Sequence, residues 1–299
     1  MGLGRVTSRQ LWVAIESIHA VTYFAAQCRQ ALRDAGVKGF WAGYFAARAA
    51  PLGVVGAGPV VAAFYNFHPA MVQQAVPSCW EVIDPGELTV RRAAAAVAGL
   101  IDLCAPGQLA GAVAALPLLR AVSERSAGEG RVMAGANRGL WPSVAVGLGR
   151  RGVPAQQVAV AEVWQACTSL REHRGDGHVA ALLTHGISGL DAHLLAAGTQ
   201  GLPAEVLRDN RGWSDQQWQA GAADMTKRGL LHPDGSATVA GRAVHSAVES
   251  LTDDLAERAL AALDDREVDR LHRALSGCAT DIQSSGLLPF PNPMGLPEL

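Results

Sequence analysis

Trp164-Gln-Ala-Cys-Thr-Ser-Leu-Arg-Glu-His-Arg-Gly-Asp-Gly-His178, continued by Val179-Ala-Ala-Leu-Leu183, is the stretch on which the fold turns. From Arg171 to His178 six side chains are ionisable, yet helix-like apolar sequence flanks them on both sides. Charge of that density is rarely buried unless the groups pair with one another or with something bound. The run is therefore either an exposed inter-helix turn or one wall of a pocket. Gly175-Asp176-Gly177 predicts a helix stop, with Asp176 capping a following helix from Gly177 to Leu195. A turn leaves unexplained why Arg171, Glu172, His173, Arg174 and His178 crowd around it. Carboxylates beside imidazoles orient a tautomer and shift its pKa toward neutrality, as general acid–base catalysis requires.

Around this stretch, 299 residues leave room for a large core and about two domains. Half of the chain is apolar and much of that is Ala, which favours helix, and a net charge of -2 offers no polyanion-binding surface. Cys28, Cys79, Cys104, Cys167 and Cys278 are scattered and odd in number, which fits reduced thiols rather than a disulfide framework. The N-terminus has no basic-then-apolar leader, and the longest apolar run, Ala93 to Leu103, is too short to span a bilayer. The expectation is a cytoplasmic protein with no membrane contact.

Upstream, residues 8–34 read as one amphipathic helix that brings Glu16, His19 and Tyr23 onto one stripe. A buried His–Glu hydrogen bond is the favoured reading of Glu16-x-x-His19, and helical di-iron ligation the alternative. The aromatic helix from Gly39 to Pro51 places Tyr44 one turn from Arg48. An arginine in so apolar a setting needs Glu16, a helix C-terminus or a bound anion. Tyr65 and Asn66, within Phe64-Tyr-Asn-Phe67, are polar enough to serve a pocket. Helices over 88–104 and 108–125 read as scaffold, with a loop from Ser126 to Gly130. Arg138 precedes Pro142 much as Arg48 precedes Pro51, so a worn duplication is one reading of the first 200 residues, with two arginine-bearing helices facing each other across a pocket.

Downstream the pattern changes. A short helix over 203–210, a turn at Gly212, a helix Asp215–Arg228 capped by Ser214, two short strands about Pro233-Asp-Gly235, and a helix over 240–260 capped by Thr238 spell a winged helix. Its charge disfavours DNA as a partner. Between Pro203 and Ser250, Arg208, Arg211, Lys227, Arg228 and Arg242 face six acids, whereas a DNA reader brings several phosphate-contacting cations. Dimerisation, giving a homodimer, or pocket closure is the preferred role. A charged helix from Asp264 to Leu275 and the Pro-rich tail Leu287-Leu-Pro-Phe-Pro-Asn-Pro-Met294 follow, lying along the body or along a partner subunit.

Glu16-x-x-His19, Gly39-Phe-Trp-x-Gly-Tyr-Phe-x-x-Arg48, Phe64-Tyr-Asn-Phe67, Arg171-Glu-His-Arg-Gly-Asp-Gly-His178 and the winged-helix end together resemble an actinobacterial family catalogued as helix-turn-helix proteins. The resemblance covers nearly the whole chain and hands on no activity. It implies that these polar blocks act together, which strengthens the pocket reading.

The expected fold class is mainly α. A helical ligand-pocket domain (1–200) precedes a small winged-helix domain with a two-stranded hairpin (201–262), then a C-terminal helix and tail (263–299). The expected function is binding of an anionic small molecule, as an enzyme in which His19, His173 and His178 are acid–base candidates oriented by Glu16, Glu172 and Asp176. Tyr44, Arg48, Tyr65, Asn66, Arg138, Arg171 and Arg174 would hold the ligand. A ligand-responsive winged-helix regulator is the alternative, and a purely structural protein a third reading. No cofactor is named by the residues: there is no Gly-x-Gly-x-x-Gly unit, phosphate loop or nucleophile elbow. Metal or haem on His19, His173 or His178 stays open.

Overall fold

The computed structural model describes residues 6–126, 128–292 and 294–299. Residues 1–5, Ala127 and Pro293 lie outside the described residues, and with them parts of the N-terminus, the 126–130 loop and the Pro-rich tail named above. Thr7 and Gln10 form a capping box on α1 (Ser8–Phe24), and an extended Ala25 separates it from α2 (Ala26–Asp34), so the one helix expected over 8–34 is two. The aromatic α3 (Phe40–Ala49) ends in a 3-10 turn at Pro51. Two short helices follow, α4 (Ala57–Ala63) and α5 (Pro69–Gln73), then the scaffold of α6 (Pro85–Leu103), α7 (Pro106–Ala114) and α8 (Leu116–Arg125). Next come α9 (Val132–Gly139), α10 (Trp141–Arg150) and the long α11 (Ala155–Thr184), followed by α12 (Gly189–Gln200). The chain closes with α13 (Ala204–Asp209), α14 (Asp215–Lys227), α15 (Val239–Leu260) and α16 (Asp265–Ser284). No single helix among the described residues is long and apolar enough to cross a membrane.

The expected helix stop at Gly175-Asp176-Gly177 is absent, because α11 runs straight through it. Glycine in a helix interior costs about 1 kcal/mol relative to alanine. At Gly177 close packing offsets that cost: a Cβ there would stand 2.5 Å from Arg131 Nη1 and 3.4 Å from Leu255 Cβ. Arg131 uses this space to donate to the carbonyls of His173 (2.6 Å) and Leu255 (2.8 Å), pinning α11 to α15. Asp176 caps no helix of its own. Its Oδ2 accepts the amides of Met133 (2.9 Å) and Ala134 (3.1 Å), satisfying the N-terminus of α9 from a distant part of the chain.

The two-stranded hairpin is also not found. Among the described residues there is no β-strand, only one isolated antiparallel bridge between Leu231 and Ala237. The bridge is bounded by the bonds from His232 N to Ser236 O (2.8 Å) and from Thr238 N to Leu230 O (3.1 Å). It goes no further because the chain turns on one side and Thr238 caps α15 on the other, while the outward-facing Ala237 amide goes to the Gly198 carbonyl of α12 (3.0 Å). His232 to Ser236 form a tight turn in which Asp234 Oδ1 accepts the Ser236 amide and hydroxyl. The mainly α class stands, and the wing is replaced by a turn seated on α12.

Three apolar clusters hold the helices. The first gathers α1, α6, α7, α8, α10, α11 and α16 around Leu11, Ile18 and Trp164. A second packs α3 to α5 through Phe45, Phe64 and Phe67. The third joins the end of α11 to α12, α14 and α15 around Met225 and Val248. The tail lies along the body: Leu288 and Leu296 are buried in the first cluster, and Asn292 ties the tail to itself by accepting the amides of Met294 and Leu296.

The second and third clusters meet at Gly189, where a Cβ would stand 2.0 Å from the Tyr65 carbonyl oxygen. Backbone on backbone cannot yield cheaply. Gly189→Ala is expected to cost about 1–3 kcal/mol in urea denaturation, the usual range for overpacking, whereas Gly149→Ala, with nothing within 4 Å of its Cβ, is expected to be tolerated.

Candidate functional site

A cavity of about 550 Å³ opens where the three clusters meet. Its floor is the unbroken α11. On a continuous helix Arg171, Gly175 and His178 share one stripe with Glu172 and Val179 beside it, and all five line the cavity. The opposite walls come from Trp12, Glu16 and Tyr23 on α1, and from Trp41, Tyr44 and Arg48 on α3. Phe64 to Phe67, Arg211 beyond α13, Glu249 and Thr252 on α15, and Pro289, Pro291 and Met294 of the tail complete it.

At its centre two arginines share two glutamates. Arg48 grips Glu172 with Nε to Oε1 (3.1 Å) and Nη2 to Oε2 (2.8 Å), and gives Nη1 to the Tyr44 hydroxyl (2.8 Å). Arg171 gives Nη1 to Glu172 Oε2 (3.0 Å) and Nε to Glu16 Oε2 (3.3 Å). Burial opposes ionisation of Glu172, but Arg48 and Arg171 outweigh it and hold the carboxyl at about 2. The partner of Arg48 is thus Glu172, which was not among the expected candidates of Glu16, a helix C-terminus or a bound anion.

The cations outnumber the carboxylates here. Arg92 stands behind the network, donating to Thr22 and the Ala47 carbonyl and lying 5.0 Å over Trp164. Arg211 lies 4.5 Å over the Phe67 ring, and burial with the fields of Arg48 and Arg171 lowers its pKa to about 10. His193, which meets the Asn66 carbonyl at 3.0 Å, is driven to about 3 by burial and Arg211.

Two groups on α11 have shifted pKa values. Asp176 is raised to about 6, chiefly by burial and then by Glu172, against the pull of the α9 amides. His178 has its pKa lowered, first by burial, so its neutral form prevails at pH 7. Thr252 donates its one hydrogen to the Val248 carbonyl (2.7 Å) and therefore accepts from His178 Nδ1 at 3.0 Å. That assigns the proton to Nδ1 and leaves Nε2 as the basic nitrogen.

Of the residues singled out from the sequence, Glu16, Tyr44, Arg48, Tyr65, Asn66, Arg171, Glu172, Arg174, Asp176 and His178 come together at the cavity. Three do not. His19 is fully buried behind the wall, between Thr168 (3.0 Å) and the Tyr23 hydroxyl (2.8 Å), so its hydrogen bonds go to neither Glu16 nor a ligand. His173 points off the other side of α11 to Glu129 (3.0 Å). Arg138 pairs with Glu124 and stacks on Trp141 away from the cavity, so the two-arginine pseudo-twofold is not formed. With the three histidines dispersed, no group of His, Cys, Asp and Glu among the described residues is arranged for a metal ion.

Several lining residues carry a weak signal or none in the sequence. Trp12, one turn before Glu16, was within reach of the stripe argument and donates Nε1 to Glu16 Oε2 (3.3 Å). Arg211 and the tail had no local pattern to betray them.

The model of the Helix-turn-helix family matches residues 8–289. The chain belongs to the Helix-turn-helix family. Comparison with curated proteins and with solved structures finds no match. The family match takes in the cavity helices α1, α3 and α11 as well as the C-terminal helices α13 to α15, so helix-turn-helix describes one part of a larger shared body.

Proposed function

We propose that this member of the Helix-turn-helix family binds a small molecule bearing an anionic group and an apolar body, with Asp176 and His178 placed to move a proton on it. The observation that carries this reading is the cavity itself. Its volume of about 550 Å³ lies within the roughly 300–1,000 Å³ of ordinary ligand sites. Its arginines exceed its glutamates, and the rings of Tyr23, Trp41 and Phe67 lie 4.9, 5.5 and 5.5 Å from the Tyr44 ring on one side. Such a site favours a carboxylate or phosphate at the arginines and an apolar group on the rings.

The reading predicts that a panel of aromatic and aliphatic carboxylates contains members that raise the Tm of the full chain saturably. A ligand at 100 times its Kd stabilises by about 2.7 kcal/mol. If no member shifts Tm, and protein purified without additions releases no small molecule on denaturation, the reading fails.

A ligand-responsive regulator is the second reading, favoured by the family and by the cavity's reliance on Arg211, Glu249 and Thr252 from the C-terminal helices. The charges weigh against DNA contact. Arg208 pairs with Asp209 and Asp215, Arg228 with Asp191 and Asp224, and Arg242 donates to the Ala237 carbonyl. Sequence-selective retardation of upstream DNA at moderate salt, altered by a cavity ligand, would establish this second reading.

A further inference from the structure

Three unfinished hydrogen-bonding groups sit at one end of the cavity. Glu16 is 2% exposed. Its Oε2 takes Trp12 and Arg171, while its Oε1 has no hydrogen-bond partner among the described residues. Arg174, one turn along α11 from Arg171, forms an ion pair through Nη2 with Asp253 (2.7 Å) and lies 5.2 Å over the Trp12 ring. Its buried Nη1 likewise has no hydrogen-bond partner among the described residues. Among the described residues the hydrogen bonds of Arg171 run through Nε and Nη1. Buried ionised atoms without partners are costly, and native structures keep few of them.

We infer that this end of the cavity receives the head of an α-amino acid, its ammonium on Glu16 Oε1 and its carboxylate on Arg171 and Arg174. The inference rests on the reading of the cavity as a ligand site. It names the ligand class by complementarity. Glu16 and Arg171 are joined at 3.3 Å, so the acceptor and the donors are neighbours, and the ligand must carry its donor and its anion side by side. An α-amino acid holds both on one carbon. Its head offers a partner to each orphaned atom, whereas a bare acid leaves Glu16 Oε1 unpaired and a bare amine leaves Arg174 Nη1 unpaired. From that head an apolar side chain runs toward Tyr23, Tyr44 and Phe67, whose rings are 4.9 to 5.5 Å apart.

The test is calorimetric titration of the full chain with matched probes on one body: L-tryptophan, indole-3-propanoate and tryptamine, and the corresponding phenyl set. L-Tryptophan or L-phenylalanine is expected to bind, and each cut-down probe to bind at least about tenfold more weakly, as loss of a hydrogen bond to a charged group predicts. In Glu16→Gln the amino acid is expected to fall to the level of its deaminated acid. Equal affinity for indole-3-propanoate and L-tryptophan overturns the inference and leaves the cavity reading standing. So does binding of other carboxylates in the panel with none from any amino acid. No binding by any probe overturns both. Should Glu16→Gln fail to fold, the wild-type comparison of the three head groups decides alone.

Discussion

Glu172→Gln is expected to lower stability by about 3–5 kcal/mol at pH 7, the cost of breaking a buried ion pair by removing one partner, read from urea denaturation of the full chain. The direction follows from the imbalance of charge. Glu172 is the carboxylate that Arg48 and Arg171 share, and Arg92 and Arg211 act on the same region. A neutral amide keeps the shape and leaves those guanidinium groups with Glu16 as the nearest counter-charge in the network. Arg48→Met is expected to cost less, because Glu172 keeps Arg171. The double variant Arg48→Met with Glu172→Gln removes a cation together with its partner and is expected to recover part of the loss. Arg138→Met is the control: its partner Glu124 is 63% exposed, and the change is expected to stay within about 0.5 kcal/mol. A cost for Glu172→Gln no larger than that of the control would show that the network does not carry the core.

The second large effect is in acid. Glu172 has a folded pKa of about 2 against the ordinary carboxyl value of 4.5. A depressed carboxyl contributes stability above its unfolded pKa and loses it as pH falls toward the folded value, here between about 4.5 and 2, and the shift amounts to about 3 kcal/mol. Asp176 acts in the opposite sense. Its pKa is raised from 3.8 to about 6, so its contribution is present below about 3.8 and is lost as pH rises through about 6. Asp176→Asn keeps an oxygen for the Met133 and Ala134 amides and is expected to be more stable relative to wild type at pH 8 than at pH 4. Urea midpoints across pH 2 to 8 check both, and an acid limb unchanged in Glu172→Gln would contradict the assignment.

Much of the site was legible because helical spacing is local. Glu16, Tyr44 and Arg48 follow from stripes of three and four, and the cost of an unpaired buried arginine demanded a partner. The partner itself was not legible, since Glu172 is 124 positions away from Arg48. Gly175-Asp176-Gly177 reads as a stop by every local preference, yet Arg131 and Leu255 fill the space that Gly177 leaves, and α9 takes Asp176 as its cap. Once α11 is continuous, its two polar-run histidines separate: His178 faces the cavity while His173 faces Glu129. Arg138, held by Glu124, never reaches the cavity. The hairpin misled as well. Pro233-Asp-Gly235 does form a turn, but Thr238 already caps α15, which leaves no length for a second strand.

We propose the cavity between α1, α3, α11 and the C-terminal helices as a ligand site. Ala63 lines it from the end of α4, and Ala63→Trp directs an indole into the space from a residue that is no member of the arginine–glutamate network. Titration of the strongest carboxylate-bearing probe into wild type and into an Ala63→Trp chain of unchanged Tm is the most direct measurement. Saturable one-to-one binding in wild type, lost in Ala63→Trp, is the predicted result, and equal binding in the two chains would contradict it.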